Sequence, residues 1–160
     1  MTGPTIDQLV ANAWAERLAA DDEEVLAYWR RAIESFRDAG VPRLSHTGQF
    51  KQLYDSARQG VVAFNAAHGY RARGASAHHQ HTFACGVALA PPELKGTIAA
   101  MQAARSIRHD LEYGGTRTVS AEEIAKLRAS ISNLLEGLAA EIERIRPKLA
   151  GRVESTRRLR

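Results

Sequence analysis

From Ser120 onward the sequence permits little except helix. Ser120-Ala-Glu-Glu123 has the spacing of a capping box. Behind it Ile124, Leu127, Ile131, Leu134, Leu138, Ile142 and Ile145 recur in steps of three and four. That is the period of a helix with one apolar face, whereas a strand alternates by two. A helix with such a face is not stable alone and needs other elements to cover it. The rest of the chain therefore has to supply helices.

It does so repeatedly. Thr5-Ile-Asp-Gln8 has capping-box spacing and opens a first helix, with Leu9, Ala13, Trp14 and Leu18 at helical intervals to about Ala19. Asp21, Asp22, Glu23 and Glu24 place acids in the first turn of a second helix, where the helix dipole favours them. Its apolar face is Val25, Trp29, Ile33 and Phe36, and Gly40 and Pro42 end it. A third helix, about Gln49 to Ala67, carries Phe50, Tyr54, Ala57, Val61 and Phe64 in one stripe. Gly69 closes it, and residues 71–77 read as a basic loop. A short helix over about residues 78–88 follows. Pro91 and Pro92 start another that runs to about Tyr113. Pro147 ends or kinks the last one. No strand pattern and no internal repeat stand out. The expectation is an all-α, up-and-down bundle of five or six helices, with residues 1–21 as a helical extension, 22–146 as the bundle and 147–160 as a basic tail.

Composition narrows the setting. Hydrophobic residues at 44% and charged residues at 25% suit a globular domain. No run of about 18 apolar residues suggests a membrane span. Residues 1–10 lack the basic start and apolar run of a signal peptide. The one cysteine, Cys85, excludes an internal disulfide, so a cytoplasmic location is the default expectation. The net charge of +4 permits nucleic-acid contact without requiring it. Arg144, Arg146, Lys148, Arg152, Arg157, Arg158 and Arg160 crowd the C-terminal end, either as a solvated tail or as an arm for phosphate backbones.

The informative stretch is residues 94–113. At about 100° per residue, with Leu94 at zero, Ile98 falls near about +40° and Met101 near about −20°. Arg105 follows near about +20°, Arg108 near about −40°, Glu112 near zero and His109 near about +60°. An apolar stripe thus turns to arginine and glutamate without changing face. Three readings stand open. The helix emerges from the core and leaves Arg108 and Glu112 as an exposed i, i+4 pair. Or the arginines are buried in a structural network, with Asp55 as partner. Or the cluster lines a cleft or a subunit seam that binds an anion such as phosphate, for which the guanidinium fork is suited. His109 would then move a proton near neutral pH.

Several short words together resemble a known family. They are Tyr54-Asp55-Ser56-Ala57-Arg58, then His68-Gly69-Tyr70-Arg71, then His78-His79, then Arg105-Ser-Ile-Arg108-His109-Asp110-Leu-Glu112-Tyr113, and the Ser120 capping box. This pattern, over roughly residues 22 to 145, resembles a divergent branch of the HEPN superfamily. The resemblance implies a helical core, a homodimer, and links to RNA cleavage, toxin–antitoxin pairs, nucleotide handling and defence. Carried onto this chain, it puts Arg105, Arg108, His109 and Tyr113 in the catalytic positions. Asp55, Arg58 and Glu112 become supporting binding residues, and Arg71 and Arg73 extend a basic rim. Ribonucleases of the superfamily have a histidine four to six residues after the arginine. Here Tyr113 stands there, and a phenol with a pKa of about 10 is a poor base at neutral pH. The expected activity is therefore binding of RNA or a nucleotide phosphate, with metal-independent RNA cleavage as the reaction if the chain is an enzyme.

Two alternatives belong to other classes. One is a non-catalytic interaction module that partners a nucleotidyltransferase or a toxin. The other is a metal-binding bundle, because His78, His81 and Cys85 share a helix face. The lack of a second cysteine argues for a buried structural Cys85 instead, and no metal or cofactor is assigned. Trp14 and Trp29 are expected in the core or at a subunit contact.

Overall fold

In the computed structural model, which describes residues 3–74 and 78–159, the Ser120 capping box forms and α6 (Ala121–Ile145) follows it. Ile131, Leu134, Leu135, Leu138 and Ile142 on its inner face are almost fully buried. They pack on α3 (His46–Ala67), which is buried along most of its length and is the centre of the bundle. Small residues let its neighbours approach. A Cβ on Gly60 would lie 2.6 Å from Leu135 Cδ2. On another side Ser56 Oγ donates to the Ala32 carbonyl of α2 (Asp22–Asp38) at 2.7 Å. Those two helices form the most extensive pair in the fold. Then α4 (His78–Leu89) and α5 (Pro92–Glu112) form a hairpin on the remaining face of α3. The result is an all-α bundle, with six α-helices among the described residues. None of these is long and apolar enough to cross a membrane.

Three expectations are corrected. The first helix, α1, covers only Ile6–Ala11 and does not reach Ala19. Ala13 turns left-handed at φ 61°. The Trp14 N–H then donates to the Leu9 carbonyl and the Ala13 N–H to that of Val10, which is the Schellman pattern of helix termination. Second, the chain has strands. β1 (Ala15–Arg17) pairs antiparallel with β2 (Tyr70–Ala72), so β2 takes up part of the expected loop; residues 75–77 of that loop lie outside the described residues. The pairing is anchored by Trp14, whose ring stacks on His81 with centroids 4.1 Å apart. Leu18, expected on a helix face, is left 46% exposed.

Third, the described part of the C-terminal segment folds back. Leu149, Val153 and Thr156 are buried, and Trp29 Nε1 donates to the Glu154 carbonyl at 2.9 Å. Several cations in and just before it find carboxylates within the chain. Arg144 meets Glu141, Arg152 meets Glu23, and Arg157 lies 4.0 Å from Glu136. Arg146 is a structural hub. It donates to the carbonyls of Ala67 and Ala20 and to Asp22, tying the ends of α3 and α6 to the start of α2. These cations sit where buried apolar side chains pull the chain back onto α2 and α6.

Candidate functional site: an arginine cleft between α4 and α5

The stripe on α5 changes character where its environment does. Ile98 and Met101 are buried, and Ala104 nearly so. One residue later Arg105 is exposed. Arg105, Arg108, His109 and Tyr113 line one cleft of about 440 Å³, together with His78 and His79 from the first turn of α4. The fold thus brings Arg105, Arg108, His109 and Tyr113 to one cleft.

Arg108 is the fixed member. Its side chain is 22% exposed, and Nη1 donates to Glu112 at 2.6 Å. Its Nε lies 3.8 Å from Asp55 Oδ1, and the guanidinium carbon sits 5.4 Å from the centroid of the buried Tyr54 ring. Asp55 is shared, because Arg58 Nε stands 3.7 Å from the same oxygen. Both distances exceed a hydrogen bond, and both Nε atoms are buried without a hydrogen-bond partner among the described residues. One carboxylate thus faces two guanidinium groups and satisfies neither. Arg105 has no ion-pair partner among the described residues. His109 and Tyr113 lie side by side at the outer lip with ring centroids 4.7 Å apart, and Tyr113 is 73% exposed.

The histidines on the opposite wall were missed as site residues. Their signal was available in part. A short connection between α4 and α5 makes an antiparallel hairpin, which sets the start of α4 beside the second half of α5. Gln102 Nε2 duly reaches the Gln80 carbonyl at 3.4 Å. His79 is the more perturbed. Burial first, then the charges of Arg58 and Arg108, push its pKa down to about 4, so it is neutral at physiological pH. His78 is lowered for the same leading reason. Beneath them burial raises the Tyr54 phenol to about 12, so it stays protonated. Tyr54 Oη lies 3.4 Å from His79 Nδ1. If the phenol donates to Nδ1, the proton of His79 sits on Nε2. If Nδ1–H donates instead, Nε2 is left as a base. The cleft thus combines two cationic forks with a neutral imidazole, which can hold a phosphate and exchange a proton beside it.

The other predicted residues lie elsewhere. Arg71 and Arg73 stand on and just after β2, where both pair with Glu16. They line a neighbouring cavity that meets the cleft at His78, and Arg58 lines that cavity as well. His78, His81 and Cys85 do not converge. His81 stacks on Trp14 and bonds to the Arg73 carbonyl, and Cys85 is fully buried beside Leu9 and Ala15. Among the described residues no group of three His, Cys, Asp or Glu side chains is placed to hold a metal ion. No family model, curated protein or solved structure matches the chain.

Proposed function

We propose that the cleft between α4 and α5 binds a phosphate group of RNA or of a nucleotide through Arg105 and Arg108, in a cytoplasmic homodimer of the kind the HEPN resemblance implies. The observation that carries this reading is the under-compensated pair of guanidiniums facing an imidazole that stays neutral. An arriving phosphate would accept from guanidinium N–H groups of Arg108 and Arg105 and give Arg105 a charged partner. If the site also cleaves RNA, neutral His79, in the tautomer whose Nδ1–H donates to Tyr54 and whose Nε2 is free, takes the proton of the attacking 2′-hydroxyl. A bond forms from that oxygen to phosphorus, the bond to the 5′-oxygen breaks, and the arginines stabilise the charge that builds on the phosphorane. His109, at the lip, is the group to protonate the leaving oxygen. Tyr113 then serves as a hydrogen-bond donor to a phosphate oxygen.

The test is binding of a fluorescent short RNA at low salt, followed by anisotropy. Arg105→Ala removes an exposed side chain and should weaken binding about tenfold or more, in line with a lost charge-assisted hydrogen bond. Unchanged affinity in that variant, or no binding of RNA or nucleotide by the wild type, ends the proposal. Cleavage is scored separately on the same RNA in EDTA.

A second reading, a non-catalytic partner of a nucleotidyltransferase or toxin, draws on the Arg108–Glu112 contact of 2.6 Å, which compensates that arginine within its own helix. On that reading Arg108→Ala lowers stability and leaves growth of expressing cells unaffected. A toxin nuclease slows growth, and Arg108→Ala relieves it.

A further inference from the structure

The cavity beside the arginine cleft is larger, at about 590 Å³, within the usual range for small-molecule sites. It lies between α2, α3, β2 and the linker after β1. Its walls are of two kinds. Leu18, Val62 and Ala66 provide an apolar side, and Leu18 is one of few large apolar residues left exposed. Against them stand four arginines and one glutamate. The four are not equivalent. Arg71 and Arg73 are both drawn to Glu16, the former at 2.8 Å. Arg58 is largely buried; among the described residues its buried Nε has no hydrogen-bond partner, and Asp55, the one carboxylate near it, is shared with Arg108. Arg31 has no ion-pair partner among the described residues and rests over the Tyr28 ring at 5.7 Å. The lone glutamate, Glu24, is turned to the cap of α2, where it accepts from the Asp21 N–H. Asn65, 2% exposed, adds a carboxamide oxygen with no hydrogen-bond partner among the described residues.

We infer that this cavity is a second binding site, for a small organic anion. Its charged head lies between Arg31 and Arg58, and its apolar body lies on Leu18, Val62 and Ala66. The lining excludes the alternatives by its own chemistry. A cation would meet an excess of guanidinium, and a sugar would leave the apolar side uncovered. A bare inorganic ion would fill a small part of the volume. The site is separate from the phosphate cleft, and His78 lines both.

The probe is anilinonaphthalene sulfonate, an organic anion whose fluorescence rises in apolar surroundings. One molecule per chain is expected to bind the folded protein saturably. Octanoate should displace it at least about ten times better than octanol, since only the former carries the charge the arginines receive. Leu18→Glu and Leu18→Lys alter the same exposed side chain and lose the same apolar contact. The glutamate should weaken probe binding about tenfold or more through like-charge repulsion, while the lysine retains it. Displacement by octanol as effective as by octanoate, equal binding by the two Leu18 variants, or several probe molecules per chain overturns the assignment. RNA affinity measured on the same variants reports on the other cleft, so the two proposals fail separately.

Discussion

Replacing His79 by glutamine should flatten the dependence of stability on pH. In the folded chain burial, aided by Arg58 and Arg108, keeps this imidazole neutral down to about pH 4, against an ordinary value of 6.5. The unfolded chain takes up the proton near that ordinary value. Unfolding thus binds a proton throughout the window between the two, and stability falls as pH drops through it. Above about pH 6.5 both states are neutral and the histidine contributes no pH dependence. The gap from 6.5 to about 4, at about 1.4 kcal/mol per pH unit, sets a ceiling of about 3–4 kcal/mol, reached only below the folded value. At about pH 5 the ceiling is about 2 kcal/mol, and solvent reaching this half-buried ring lowers the expectation to about 1–2 kcal/mol. Trp29, almost fully buried, reports unfolding by its fluorescence. Urea titrations at about pH 7.5 and about pH 5 give each protein's loss of stability, and the wild type should lose about 1–2 kcal/mol more than His79→Gln. His68 and His78 are also lowered, but they are present in both proteins and cancel in the difference. Equal losses in the two proteins would mean that the ring is solvated and that the cleft is an ordinary piece of surface.

Three further predictions probe the frame that holds the site. Gly86→Ala puts a Cβ 2.6 Å from Val61 Cγ1 and 3.4 Å from Ile98 Cγ2, both on stiff β-branched side chains. The overpacking, about 1–3 kcal/mol, should outweigh the gain of up to about 1 kcal/mol in helix propensity, and the denaturation midpoint should fall. Arg146→Ala strips partners from the Ala67 and Ala20 carbonyls and from Asp22, at a cost of about 2–4 kcal/mol. Arg146→Lys should recover only part of that in the same urea titration, since one ammonium cannot span three acceptors held by a planar fork. Ala13→Gly relieves the left-handed backbone at φ 61°. Thermal melts should show a gain of up to about 1 kcal/mol, the strain removed less the extra freedom of glycine in the unfolded chain. A loss on that substitution would count against the helix stop at Ala13.

The bundle was legible because its signals are local. The boxes at Thr5 and Ser120 cap helices, and the apolar stripes of α2, α3 and α6 face the core. What was hidden depends on partners far along the chain. Nothing between Ala11 and Ala19 forbids helix. The stop is favoured because Trp14 finds His81 and Ala15 finds Ala72 once α3 has brought that region back. The C-terminal cations illustrate the same point. Counting them suggests a tail or an arm, whereas their partners Glu23 and Glu136 are supplied by two helices that only folding brings near.

The arginine cleft was half legible, and the missing half follows from helix lengths. Periodicity alone placed Arg105 and Arg108 in line with Ile98 and Met101. It gave no reason for the stripe to become charged at Arg105. The reason is the neighbour. In an antiparallel hairpin α4, with 12 residues, covers about 18 Å, while α5, with 21 residues, runs about 31 Å. Counting from the turn, α4 is exhausted opposite about residue 103 of α5, and from there α4 no longer covers that face, which keeps only its edge against α3 where Arg108 meets Asp55. Apolar residues up to Met101 and charged ones from Arg105 are what that geometry requires. It also puts the first side chains of α4, His78 and His79, at the mouth of the gap so created. The cleft is the step where a short helix ends beside a longer one. Lengthening α4 at its start by one helical turn should therefore cover Arg105, lower RNA binding without touching any arginine, and leave the fold intact. Persistence of full binding in that insertion variant would show that RNA is not held at this cleft.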